Sequence, residues 1–215
     1  MSRLSALIVA GGIFLVIGVV FTLVGLGVQH DSNRLADLPL LTAAEIGTSN
    51  DGLTAAVDAT IAERNDLHYE GLVAYAREEY RGEECSTLDD ECESLWIEDE
   101  RVTPPLWLDT SDGRLLVINK DYTLRNEPII HQTGTRLIEN ETKVYRGFEI
   151  GNPVFVIGQV VTGRDSPSFH ADVIYGGDST SHLSEARFVG NVFFWLGIIF
   201  SITGLAFIIS YFFIT

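Results

Sequence analysis

Two uncharged apolar runs near the ends of the chain limit its fold more than any other feature of the sequence. Residues 4–28 (LSALIVAGGIFLVIGVVFTLVGLGV) and 189–214 (VGNVFFWLGIIFSITGLAFIISYFFI) contain no Asp, Glu, Lys or Arg. A helix of roughly 20 apolar residues crosses the hydrocarbon core of a bilayer, so either run can span with some tilt. A secretory signal carries an apolar stretch of only about 7–15 residues, ending at a small-residue cleavage site. The first run exceeds that length, and Gly25, Gly27 and Val28 lead straight into Gln29 and His30. An uncleaved signal anchor fits it better. The expected architecture is an α+β membrane protein with transmembrane helices at 1–29 and 189–215. Between them come a connector (30–52), a β domain (53–178) and a short polar helix (179–188).

The runs share a second pattern. Gly11, Gly18 and Gly25 recur every seventh residue in the first, and Gly190, Gly197 and Gly204 do the same in the second. A seven-residue period keeps them near one helical face, drifting about 20° per heptad. Small residues let helices approach closely in lipid, where packing replaces the hydrophobic drive. The seams therefore predict helix packing, either of the two runs on each other or of copies of the chain.

Charge is confined to the middle. All 30 acidic residues, and every basic residue except Arg3, lie between the two runs, and the whole chain carries −16. That field disfavours nucleic acid, whose phosphates need clustered Lys and Arg, and it repels anionic headgroups. Lys occurs only at Lys120 and Lys143. Few Lys, abundant carboxylates and a pI near 4.5 make a halophile-like composition, because strong salt screens the self-repulsion of acidic groups. The orientation signal is thin, with Arg3 on the tail side and Arg34 and Arg187 on the domain side. Long loops cross irrespective of charge. A signal-anchor start and an even number of spans then put both termini in the cytoplasm and the domain outside it.

Inside the domain the periodicities are those of strands. Residues 53–62 and 71–80 flank the polar turn ERNDLHYE, and 105–109 and 114–119 flank Thr110-Ser111-Asp112-Gly113, a hairpin signal. Residues 154–161 form a β-branched run, and after a Gly/Pro loop Phe169, Ala171 and Val173 alternate. Six or more short strands with polar loops favour a small barrel or sandwich, here an OB-like barrel. Gly158 suits a bulge or barrel bend. Residues 42–46 predict a short helix stopped by Gly47, and 81–100 a long acidic excursion.

Catalytic motifs are absent from the sequence: no phosphate-binding glycine loop, no dinucleotide fingerprint, no nucleophile elbow. His30, His68, His131, His170 and His182 are too widely spaced for a local metal pair and read as surface or loop residues. The acids around 83–100 lack the alternating ligand spacing of a calcium loop and read as a solvated stretch. Trp96 and Trp107 read as core. Cys85 and Cys92 (CSTLDDEC) form no C-x-x-C pair. Their spacing is compatible with a small disulfide loop in an oxidising compartment, the alternative being two free or buried thiols. Asn140-Glu141-Thr142 is a glycosylation acceptor pattern that matters only in an exported domain. Neither catalytic residues nor cofactors are assigned.

Three segments carry a family resemblance: AAVDATIAERNDLHYEGLVAYAREEY, SLWIEDERVTPPLWLDTSDGRLLVIN and KVYRGFEIGNPVFVIGQVVTG. With Tyr145, Ile150, Gly151 and Gly158 at the spaced positions of the last, the chain resembles the GIDE ("beside a membrane") domain of membrane-anchored ubiquitin ligases and their prokaryotic relatives. The resemblance implies two spans with an intervening domain, followed in the ligases by a RING finger. Here the sequence ends at Thr215, and its two cysteines cannot build a RING. The leading expectation is a non-catalytic, membrane-anchored interaction or sensor module. Its partners would be the bilayer and a membrane protein or further copies of itself. Ligase-like or membrane quality-control activity, and a structural role in a membrane assembly, are the alternatives.

Overall fold

The computed structural model describes residues 3–85, 92–133, 142–163 and 166–214. The chain divides into two compact units, one helical (residues 1–38 and 180–215) and one mostly β (39–179).

The helical unit is an antiparallel pair, α1 (Arg3–Ala36) and a C-terminal helix, α3 (Ser179–Ile214). α1 continues past the expected end of the apolar run into the connector. Nothing in 29–36 breaks a helix, and the first obstacle is Pro39, which disfavours helical geometry in the residue before it. The short polar helix and the second span likewise form one uninterrupted helix, because no Pro or special backbone angle separates them. Segments Ile8–Ala36 and Ser179–Ser210 are long and apolar enough to cross a membrane. Only 17 % and 11 % of their most apolar windows are buried, whereas the core helix of a water-soluble protein is mostly covered.

The glycines sit where the helices meet. A Cβ on Gly18 would lie 2.7 Å from the Gly197 carbonyl, one on Gly25 2.9 Å from that of Gly190, and one on Gly11 2.9 Å from that of Gly204. Beside this seam runs an aromatic one. Phe14 stacks on Phe200 with centroids 5.7 Å apart, and Phe21 meets Phe193 and Phe200 edge-on at 5.6 and 5.8 Å. The seven-residue spacing of these phenylalanines repeats that of the glycines, so small and large residues alternate around the contact. Near one end, Gln29 Nε2 donates to Asn191 Oδ1 at 2.9 Å.

The β unit is built on a five-stranded barrel. β1 (Thr54–Ile61), β4 (Leu106–Asp109), β5 (Arg114–Val117), β9 (Pro153–Val161) and β10 (Ser168–Gly176) pair in the order β5-β4-β1-β9-β10. A parallel pairing of β10 with β5, Ser168 opposite Leu116 and Phe169 opposite Val117, closes the ring. β6 (Thr123–Arg125) adds beside β10. Val57, Leu106, Leu108, Leu115, Val156, Phe169 and Ile174 are essentially inaccessible and form one core. Closure leaves these strands almost no free edge.

Gly158 shows why closure needs a glycine. It pairs with Ala171 on β10, where the register slips before Val173. A Cβ at 158 would run into the His170 carbonyl and come within 2.8 Å of the Ala171 Cα. Gly158→Ala must spread β9 from β10, and we expect a loss of about 1–3 kcal/mol in urea unfolding monitored by circular dichroism.

α2 (Ala43–Thr48) starts one residue later than expected and runs on through Gly47. Its start is fixed by Thr42, whose backbone N–H and hydroxyl both donate to the Glu45 carboxylate, a capping box. Ala43 and Ile46 then reach the barrel core. The largest departure is the acidic excursion. Its described residues are strand rather than loop: β2 (Leu72–Cys85) and β3 (Cys92–Val102) pair as the arms of a long hairpin. β2 also pairs with β8 (Lys143–Glu149), which pairs with β7 (Ile129–Gln132), giving a second sheet in the order β3-β2-β8-β7. Val73, Ala74 and Phe148 on one face of this sheet join the barrel core.

Candidate functional site

The opposite face of the four-stranded sheet gathers the polar aromatic residues. Glu100 on β3, Arg77 on β2, Tyr145 on β8 and His131 on β7 are successive cross-strand partners, so they form one row across the sheet. Tyr75 lies two residues before Arg77 and shares its face. Opposite Tyr75 is Gly147, where a Cβ would come within 2.8 Å of the Tyr75 Cβ. Tyr69 folds back through a tight turn closed by the Leu72 N–H donating to its carbonyl at 2.8 Å. Both central residues of that turn have positive φ, Glu70 at 42° and Gly71 at 92°. Holding a glutamate there costs about 1 kcal/mol. The turn stacks Tyr69 on Tyr145, ring centroids 3.7 Å apart and planes 7° from parallel. Tyr75 meets Tyr145 at 5.5 Å.

Charges frame the rings. Arg77 reaches both oxygens of Asp99 at 2.8 and 3.0 Å and also pairs with Glu100. Its hydrogen bonds hold the Asp99 carboxyl below the usual range, and Asp99 in turn keeps the guanidinium charged. Tyr75 donates its hydroxyl proton to Glu100 Oε1 at 2.9 Å. Burial, then that bond to a carboxylate, pushes its phenol up to about 12. Burial, followed by the charge of Glu70, raises Tyr69 as well. These phenols stay protonated at neutral pH, which suits donation of hydrogen bonds rather than nucleophilic attack. His131 stands between two carboxylates, Nδ1 3.6 Å from Glu70 and Nε2 3.6 Å from Glu149. Both separations exceed hydrogen-bond reach, and Nε2 is buried without a hydrogen-bond partner among the described residues.

Tyr75 gives a pH test. Its folded pKa lies above the ordinary 10.0, so its contribution is intact below pH 10 and is lost as pH rises towards 12. In an absorbance titration of tyrosinate, Tyr75→Phe should remove a component with a midpoint near 12. A component lost near 10 instead would contradict the buried Tyr75–Glu100 pair.

Two clefts flank this sheet and the barrel. One of about 380 Å³ lies between β6 and the inner face of the sheet, with Arg101, Arg125 and Arg146 set against Glu78, Glu98 and Glu127. Arg146 binds Glu78 at 3.2 Å and Arg101 grips Glu98 at 2.8 and 2.7 Å, so much of this charge is already paired. The other, of about 260 Å³, is lined by Arg64, Pro104, Pro105 and Trp107. The Arg64 guanidinium lies 3.8 Å over the Trp107 ring. Asn65 replaces a missing strand there, donating to the Ala62 and Trp107 carbonyls and accepting from the Trp107 N–H. Trp107 and Trp96 are half-buried strand residues rather than core.

Cys85 and Cys92 are joined by a disulfide that staples the far end of the β2–β3 hairpin. Their sulfurs and the Glu83 carboxylate lie within 4.8 Å of one another, but the bond leaves no thiolate for a metal. Asn140 lies outside the described residues. Of the acidic stretch, Glu98, Asp99 and Glu100 are strand residues engaged by arginines. The tyrosine face is not legible locally because its members come from four strands, and the stacked pair Tyr69 and Tyr145 stands far apart in the chain; the one local trace is Tyr75 and Arg77 at i, i+2. No family model, no curated protein and no solved structure matches the chain.

Proposed function

We propose that the chain is a non-catalytic, membrane-anchored interaction or sensor module that presents its acidic β domain at a membrane surface. The observation that carries this is the helical unit. Its two long apolar helices use their glycines on each other and leave Ile13, Val16, Leu23, Trp195, Ile199 and Ile202 exposed. In water such a surface would far exceed the few hundred Å² of contiguous apolar patch that monomers tolerate; lipid removes that cost. The strand order and the parallel closing pair support an OB-like barrel, and the resemblance to the GIDE domain supports the same arrangement of two spans around a β domain. The tyrosine–arginine face has the side-chain chemistry that dominates protein contacts.

Carbonate washing of membranes from expressing cells should leave the full chain in the pellet; release into the supernatant would overturn the anchoring. The Cys85–Cys92 disulfide supports an exported domain with both termini cytoplasmic. An impermeant maleimide should therefore label intact cells only after an impermeant reductant. A requirement for lysis would place the domain in the cytoplasm.

A further inference from the structure

We infer that the far end of the β2–β3 hairpin is a redox-gated site for a borderline-soft divalent cation such as zinc, held by Cys85, Cys92 and Glu83 once the disulfide is reduced. The strand register places the donors. Glu83 pairs with Ser94, Glu84 with Glu93 and Cys85 with Cys92, without a slip between them. Successive side chains of a strand alternate between faces, so Glu83, Cys85, Cys92 and Ser94 share one face, and Glu84 and Glu93 take the other. The two sulfurs and a Glu83 carboxylate oxygen lie within 4.8 Å of one another. All three residues are exposed, so a cation reaches them from solvent.

Opening the disulfide leaves these groups together. The arms stay in register through the remaining β2–β3 ladder and through Tyr80, whose ring packs on Trp96 at 5.4 Å. Directly opposite residues keep their Cβ atoms about 4.5–5.5 Å apart, which suits two thiolates each about 2.3 Å from one metal. A dithiol reductant supplies the electrons: its own sulfurs join in a disulfide, while Cys85 and Cys92 gain two electrons and two protons. Zinc then displaces those two protons, and its ligands are two thiolates, the Glu83 carboxylate and a water. The donor set decides the cation, because thiolates select zinc, whereas magnesium and calcium take oxygen ligands. Disulfide and metal are alternative staples for the same hairpin end, one for an oxidising compartment and the other for a reducing one. The site therefore does not depend on which side of the membrane the domain faces.

The test uses the full chain in a neutral maltoside detergent, reduced with a dithiol and desalted without air. Zinc is titrated in competition with a chromophoric chelator, and cadmium is read by its thiolate-to-metal charge-transfer absorbance. The reduced chain should take up one zinc and develop the cadmium band to a single equivalent, and the oxidised chain should do neither. Equal zinc uptake by the two forms, or no cadmium band in the reduced one, would overturn the proposal. Glu83→Gln should weaken zinc binding about tenfold or more, since even partners of metal ligands cost that much. Glu93→Gln makes the same charge change beside Cys92 but on the opposite face, and should leave the affinity unchanged. Equal losses in the two variants, or none in Glu83→Gln, would show a bare thiol pair in a diffuse negative field and would also overturn it. Both glutamates are exposed, so neither change threatens the fold. No outcome here would move the chain out of the carbonate-washed pellet, so the anchoring is judged separately.

Discussion

Replacing Gly18 and Gly197 together by leucine should drive the two apolar helices apart. A Cβ at either position already falls 2.7 Å from the other glycine's carbonyl, and at 2.5 Å from the Ser201 or Thr22 backbone nitrogen. These neighbours are backbone and cannot swing aside as a flexible side chain would. The two sites together should cost about 2–6 kcal/mol, seen as a lowered Tm and an altered elution volume in mild detergent. Gly12 supplies the control. It lies on the same helix with nothing within 4 Å of its added Cβ, so Gly12→Leu should leave both readouts unchanged. If Gly12→Leu and the seam variant behave alike, the glycines are not a contact surface.

Phe148→Ala should be nearly as damaging to the β unit. Phe148 is fully buried on β8 and belongs to the core that also contains Leu106, Val156 and Phe169. Removing it leaves a cavity where the four-stranded sheet rests on the barrel, at about 3–5 kcal/mol. Domains have only about 5–15 kcal/mol in hand, so the variant should unfold at much lower urea. Fluorescence of Trp96 and Trp107, one on each sheet, should report a single shared transition. Two separated transitions would mean that the sheet is not cemented to the barrel through this residue.

Some parts of this architecture were written in local pattern, and others were not. The apolar runs, the seven-residue glycine spacing and the Thr110–Gly113 hairpin are short-range signals, and the corresponding elements lie where those signals point. The inner half of β2 is legible as a strand over 71–80, whereas its outer half and β3 are obscured because they are acidic. Glu83, Glu84 and Glu93 read as loop, yet alternation is not needed on a projecting hairpin whose two faces both meet solvent. Their pairing is secured instead by the opposite strand and by Cys85 meeting Cys92 in register. α1 outran its apolar stretch because hydrophobicity marks where lipid can lie, whereas helices end at caps and prolines. The tyrosine face was beyond local reading: Tyr69 touches Tyr145 only because β2 and β8 come together.

That meeting of β2 with β8 also bears on how quickly the chain folds. The four-stranded sheet is assembled from two separate excursions of the barrel, one between β1 and β4 and one between β5 and β9. The β2–β3 and β4–β5 hairpins join near neighbours in the chain and can form within microseconds. The β2–β8 pairing joins Leu72 to Glu149 and cannot precede a loop closure across the intervening strands. Ring closure through β5 and β10 carries a similar delay. The slowest observable phase of refolding should therefore be the one in which Tyr69 comes to rest on Tyr145, with both hairpins already present.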